Sequence, residues 1–367
     1  AEGPNDERRG TATKRDGNAF DHLREQAAGN PQDELVAGLS GQPESIQPEA
    51  LLAHVLDRAN LQRALKQVRR NKGAPGIDGR SVDELPEHLV HHWLQIKDDI
   101  LAGRYRPQPV RRVEIPKPDG RKRMLGIPTV LDRFIQQAIA QIVQAQWEPH
   151  FHPDSYGFRP ERSAHQAVRK VQADVKDGHD WVVDLDLESF FDRVNHDRLV
   201  HRLGRHVADP ALLGLITAFL KAGAWVDGQH EPSRMGVPQG GPLSPVLANV
   251  VLDEMDWELH RRGHRFARYA DDCNIAVKSE RAGQRVMHSV TRWIEDSLRL
   301  TVNPRRSAVD RPWCSGSVNE SDMRLPYLSI GVQGRGGTKL IGGVWLNVSR
   351  IEPGRSGLVQ HDCYKDQ

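Results

Sequence analysis

Arg268-Tyr-Ala-Asp-Asp-Cys-Asn-Ile-Ala-Val277 sets two adjacent carboxylates, Asp271 and Asp272, between a tyrosine and an apolar, β-prone run. The pair falls where a strand would turn. Neighbouring acids repel, so they stand together either where water solvates them at a turn or where a cation lies between them. A second stretch, Trp181-Val-Val-Asp-Leu-Asp-Leu-Glu-Ser-Phe-Phe-Asp192, favours the cation. Read with the period of two of a strand, it places Val182, Asp184 and Asp186 on one face and Trp181, Val183 and Leu185 on the other. Asp186 ends that strand, ahead of a helix-like run. One carboxylate at a strand end plus a pair on a nearby turn is a ligand set for two Mg²⁺ ions, which take hard oxygen ligands and keep room for substrate phosphates. Asp184, a full repeat earlier, reads as structural.

Working outward, the flanking blocks are as distinctive as the acids. LDLESFFDRVNH, GVPQGGPLSPVLANVVL and RYADD, preceded in order by RRNKGAPGIDG, IPKPDGRKRMLGIPTVLDRFIQQAI and SYGFRPERSAHQAV, resemble the reverse transcriptase encoded by bacterial group II introns. The likeness runs from about Leu51 to Arg311. It implies an α+β fold of the right-hand polymerase type, with an antiparallel palm sheet backed by helices. It also implies RNA-directed DNA synthesis by two-metal nucleotidyl transfer onto a primer 3′-OH. The implied cofactor is a pair of Mg²⁺ ions. The implied partners are group II intron RNA, an RNA template with a DNA primer, deoxynucleoside triphosphates and a DNA target site.

Carried over residue by residue, the resemblance assigns catalysis to Asp186, Asp271 and Asp272, with Leu187 as a further metal contact. Lys117 and Arg123, on a hairpin around Pro118-Asp-Gly120, are placed against the incoming triphosphate, where flexible Lys and forked Arg donors suit phosphate. Phe191, five residues past Asp186, is expected to line the sugar pocket and exclude the ribose 2′-OH. Gln239, in the three-glycine loop Gly236-Val-Pro-Gln-Gly-Gly-Pro-Leu-Ser-Pro245, is expected to reach the sugar or base. Arg306 stands where the family has Lys, so a triphosphate role carries over in charge only. Arg159, in the loop Ser155-Tyr-Gly-Phe-Arg-Pro160, is expected to contact template. Met124 replaces the family's usual Pro.

The expected division is a disordered leader over 1–48, fingers over 49–176, a palm over 177–312 and a divergent tail over 313–367. Leu51 to Val68 has helical spacing, with Lys and Arg toward its C-terminal end. Arg104 to Lys117 alternates as a strand. Thr129 with Asp132 caps a long helix with a broad apolar face. Asn195 and Asp197 can cap another, and Ser244 with Pro245 starts a helix with the buried stripe Leu247, Val251, Met255 and Leu259. Ile294, Leu298 and Leu300 continue a helical pattern. His196 and Cys273 read as packing or cap residues. After Trp313 the family's Phe-Leu-Gly segment, thumb and maturase domain are not recognisable, which reads as a truncated or frameshifted end.

Composition narrows the setting. The 367 residues are 38% hydrophobic and 27% charged, without an apolar run long enough to span a membrane, so a cytoplasmic protein is expected. Three cysteines without metal-ligand spacing support neither a disulfide framework nor a zinc site. Net charge is +2, but residues 1 to 50 hold five Lys/Arg against ten Asp/Glu, while Leu101 to Leu125 hold eight against two. A basic segment ahead of a two-metal site suits phosphate contact. Two rival readings follow: an intron RNA-binding maturase that no longer polymerises, and another palm-type enzyme such as a nucleotide cyclase. The cyclase would need a Gly-Gly-Asp/Glu-Glu-Phe turn in place of Tyr-Ala-Asp-Asp.

Overall fold

A computed structural model describes residues 51–116 and 122–312, and the backbone of a short strand pair at Lys339–Ile341 and Val344–Leu346. The leader, Lys117, the side chain of Arg123, Cys314, Cys363 and the rest of the tail lie outside the described residues.

Helices α1 (Leu51–Val55), α2 (Arg58–Asn71), α3 (Leu85–Leu101) and α4 (Val130–Trp147) pack together at one end. The single helix expected over 51–68 is broken in two. Asp57 takes an extended backbone and accepts from the Ala59 N–H, so it restarts the helix as an N-cap. Helix α4 begins as expected: the Thr129 hydroxyl accepts from the Asp132 N–H at 3.1 Å and donates to Asp132 Oδ2 at 2.7 Å. Trp93, Phe134, Ile135 and Ile139 are buried in this helical core.

The strand expected over 104–117 forms only from Val110. Pro107 and Pro109 have no N–H to give a ladder, so residues 104–109 run without pairing as a strand. Strand β1 (Val110–Pro116) pairs with β2 (Lys122–Ile127) in an antiparallel hairpin that sets Ile115 opposite Arg123. Its other edge pairs in parallel with a later element, β4 (Ala224–Val226), which is followed by β5 (Gln229–Glu231). The resulting order is β2-β1-β4-β5.

Four strands form the second sheet, in the order β6-β7-β3-β8, every pairing antiparallel. They are β3 (Trp181–Leu185), β6 (Arg265–Tyr269), β7 (Asp272–Val277) and β8 (Ala308–Asp310). Between them in sequence lie α6 (Phe190–Arg193), α7 (His196–Leu203), α8 (Pro210–Lys221), α9 (Ser244–Arg261) and α10 (Glu280–Trp293). A π turn, Ile294–Leu298, extends α10 where helical pattern was expected.

The alternation read from β3 is the alternation observed. Val183, Leu185, Cys273 and Ile275 enter the main core. Helix α10 packs there closely enough that a Cβ on Gly283 would meet Val183, Val277 and Val309. Val182 and Ala267 face the other way, onto Ala167 and Val171 of α5 (Ala164–Lys176). Helix α5 falls in the range expected for the fingers yet packs on β6, while β4 and β5, in the range expected for the palm, complete the first sheet. No helix among the described residues is long and apolar enough to cross a membrane.

Candidate active site

Strand β3 ends opposite the β6–β7 turn. Its register with β7 ends on Leu185 opposite Cys273, so Asp186, the next residue, follows at the end of the strand beside the turn that carries Asp272, close enough that its charge acts on the Asp272 carboxyl. Directly opposed residues of an antiparallel pair share a face. By the alternation of the strands Asp184, Asp186 and Asp272 fall on the face of the sheet that carries Val182 and Ala267, with Asp271 at the turn. The turn is tight: Tyr269 pairs with Asp272, and Ala270 takes φ +58° in the left-handed region.

The electrostatics match the crowding. Burial, then Asp271, Asp186 and Asp184, hold the Asp272 carboxyl well above the usual carboxylate range, with the Arg306 charge opposing them. Burial and then Asp186 push Asp184 up to about 7. Among the described residues no three His, Cys, Asp or Glu side chains converge as a ready-made metal cage. That is compatible with Mg²⁺, which is held by one or two carboxylates plus waters and substrate phosphates. Several acids on one rim, destabilised by one another, form a donor set that a hard dication suits.

Asp186 is held from the segment before β8. Asn303 donates its backbone N–H to the Asp186 carbonyl at 2.8 Å and its side-chain Nδ2 to Asp186 Oδ2 at 3.0 Å. The Asp186 N–H donates to Ser307 Oγ at 3.0 Å. Arg306 brings its guanidinium to 3.8 Å from Asp186 Oδ1. Leu187 is buried and bridges to Val302, so only its backbone carbonyl could meet an ion.

The three-glycine loop is fastened on both sides. Val237 N–H donates to the Phe191 carbonyl and Gly236 N–H to that of Val194, each at 2.7 Å. Buried His196 donates through Nε2 to the Gly236 carbonyl at 2.7 Å. Toward the first sheet, Gly126 N–H donates to the Gln239 carbonyl at 2.8 Å. A Cβ on Gly240, at φ +123°, would meet the Gly126 carbonyl at 2.8 Å, so this approach requires glycine. Ser244 lies inside the first turn of α9 and donates to the Pro238 carbonyl at 2.6 Å, so it ties the loop down instead of capping the helix. Gln239, Asp192, Met124 and Gly126 share the lining of a cavity of about 520 Å³ between the first sheet and the three-glycine loop. Phe190 and Phe191 are both buried, edge to face, with ring centroids 5.1 Å apart.

Arg159, expected at the template, is drawn into the fold. Its side chain is 4% exposed and points inward. It pairs with Glu148 at 2.7 Å and donates to the carbonyls of His152 at 2.6 Å and Ser155 at 2.8 Å. With its donors used inside the fold, it braces the Ser155–Pro160 loop and has none to offer a template.

One residue of the motif received no role from the sequence. Arg268, in β6, is fully buried and pairs through two bonds, of 2.6 and 2.7 Å, with fully buried Asp256 on α9. It also donates to Asn249 Oδ1 at 3.0 Å, Ser155 Oγ at 2.7 Å and the Ala270 carbonyl at 2.7 Å. A signal existed: Asp256 sits beside Met255 and Leu259 in the apolar stripe of α9, and a charge there demands a buried partner.

The chain belongs to the reverse transcriptase (RNA-dependent DNA polymerase) family, whose model matches residues 115–311. It is 33% identical over 305 residues to protein YkfC of Escherichia coli (strain K12), covering 72% of this chain and 80% of that one. It is 39% identical over 196 residues to the group II intron-encoded protein LtrA of Lactococcus lactis subsp. cremoris, covering 53% of this chain and 32% of LtrA. This chain thus aligns with about a third of LtrA's length. A chain of the partial Cas6-RT-Cas1–Cas2 complex aligns over 72% of this chain and 46% of that one, at 23% identity and a TM-score of 0.42.

Proposed function

We propose that this chain is an RNA-directed DNA polymerase of the group II intron type, adding deoxynucleotides to a primer 3′-OH on an RNA template. The observation that carries the reading is that β3 ends beside the β6–β7 turn, so that the charges of Asp186 and Asp271 act on Asp272, inside a family of reverse transcriptases. Asp186, Asp271 and Asp272, with the Leu187 carbonyl, would hold two Mg²⁺. When bound, these ions supply Lewis acidity to the 3′-OH and to the triphosphate.

The chain's own residues do the positioning. Asn303 and Ser307 fix the backbone and one carboxylate oxygen of Asp186. Arg306, close to Asp186, offers a cation to phosphate oxygens. Gln239 presents its side chain at the cavity beside the hairpin carrying Lys117 and Arg123, which we assign to the triphosphate. Phe191, pinned through its carbonyl to Val237, is the side chain we assign to sugar selection. Intron RNA, the RNA template with its DNA primer, deoxynucleoside triphosphates and a DNA target site are the proposed partners.

A second reading, an intron RNA-binding maturase without polymerase activity, is supported by the likeness to an intron-encoded protein. Primer extension on a homopolymer RNA template separates the two. Mg²⁺-dependent deoxynucleotide addition is the expected result; RNA binding without extension under the same conditions would favour the maturase.

A further inference from the structure

Resting on the polymerase reading, we propose that Arg268 is a positioning residue: it sets where Asp271 and Asp272 stand by anchoring the Ala270 carbonyl at the turn between β6 and β7.

A guanidinium has five N–H donors in a rigid fork. Arg268 uses its Nε and both Nη atoms for five bonds: two to Asp256 and one each to Asn249, Ser155 and Ala270. Four of these reach elements outside the hairpin, namely α9 and the segment that runs beside β6. That segment is itself bonded to Arg268, with Arg268 N–H donating to the Asp154 carbonyl and Tyr156 N–H to the Arg268 carbonyl. The fifth bond falls on Ala270, one residue before Asp271, where a non-glycine residue holds a left-handed backbone. Such a conformation costs about 1 kcal/mol or more and persists where its surroundings over-determine it. Here the surroundings are the Arg268 fork on one side and Gly157 on the other, so close that a Cβ on Gly157 would come within 2.2 Å of the Ala270 nitrogen. Asn249 closes the frame by donating to the Gly157 carbonyl at 2.9 Å. The turn is thus clamped between two rigid parts, and Arg268 is the residue bonded to both.

A buried ion pair need not serve stability, since apolar residues of similar volume often replace one without loss. Position is a different matter, because groups that orient metal ligands typically change affinity or activity 10- to 100-fold when removed. Lysine in place of Arg268 keeps the charge beside Asp256 but has three donors on one atom, too few and too compact to span Asp256, Asn249, Ser155 and Ala270 together.

The test uses the full chain with three changes: Arg268→Lys, the paired Arg268→Met with Asp256→Leu, and Gly157→Ala, which crowds the turn while leaving Arg268 intact. Each is followed by thermal unfolding, by Mn²⁺ binding to the free protein measured by electron paramagnetic resonance, and by kcat and KM for one added deoxynucleotide. The expected signature in every variant that unfolds cooperatively is Mn²⁺ affinity and kcat each lowered about 10- to 100-fold, with KM within about threefold. A folded paired variant with Mn²⁺ affinity and kcat within about threefold of the parent overturns the proposal. If the paired variant does not fold, parent-like Mn²⁺ affinity and kcat in a folded Arg268→Lys overturn it. A parent chain that binds Mn²⁺ but extends no primer refutes the polymerase reading and leaves the Mn²⁺ comparison to decide the role of Arg268.

Discussion

Asn303 grips Asp186 twice, at the backbone carbonyl and at carboxylate Oδ2, over bonds of 2.8 and 3.0 Å. The side-chain bond leaves Asp186 Oδ1 turned toward Arg306. Removing it with Asn303→Ala frees the carboxylate to rotate while leaving every acid in place. Single-nucleotide addition should fall about 10- to 100-fold, the range for groups that orient metal ligands, with little change in melting temperature. An unchanged rate would mean that Asp186 needs no such support.

Phe191→Ala tests sugar selection. Truncating a buried Phe typically costs about 3–5 kcal/mol, so absolute rates will drop for reasons of folding alone. The informative number is the ratio of ribonucleotide to deoxyribonucleotide incorporation on one preparation, which should rise. A constant ratio would return Phe191 to the role of core residue beside Phe190.

Arg159→Ala should be a stability variant. It removes the cation from Glu148, which keeps only the Gln144 amide, and strands two carbonyls; charged hydrogen bonds of this kind are worth about 1.5–3 kcal/mol, reduced here because Glu148 is partly exposed. Chemical denaturation should show the loss, and template affinity per folded molecule should stay within about twofold. A larger loss of affinity without a loss of stability would restore the template role.

Asp132 gives the fold a pH dependence that is separate from the active site. Burial pushes its carboxyl up to about 6, against donors from Thr129, Tyr105 and the Gln108 N–H that pull it down. With the folded value above the ordinary one near 3.8, the folded chain keeps a proton that the unfolded chain releases, so stability falls as pH rises between the two and levels off above about 6. The loss amounts to about 3 kcal/mol at most. The stability of the parent relative to Asp132→Asn, from denaturation at pH 4, 5, 6 and 7, should fall across that range. A flat difference would place the folded carboxyl at its ordinary value.

Much of this was legible in the chain because it is local. The two faces of β3 follow from Val182, Asp184 and Asp186 alone, the start of α4 from Thr129 and Asp132, and the stripe of α9 from residues three and four apart. What stayed hidden depends on distant partners. Arg159 is expected to face a template, and nothing in its own loop announces that Glu148 and two carbonyls enclose it. The parallel pairing of β4 with β1 joins segments over a hundred residues apart, and no short-range pattern encodes it. Asp57 alone sufficed to split the first helix, a short-range signal outweighed on paper by the apolar spacing on both sides. The Arg268–Asp256 pair left a trace in each strand or helix, a charge at an inward position, but neither trace names the other.

The most direct test of the central claim is single-nucleotide addition by Asp186→Asn and Asp271→Asn on an RNA template, measured beside RNA affinity. Each change keeps the shape of the side chain and removes the charge that would hold a dication. The expected result is a rate lowered by about 1,000-fold or more, corresponding to the several kcal/mol that a lost metal ligand removes from the transition state, with RNA affinity within about threefold. Addition within about tenfold of the parent rate in either variant would contradict it.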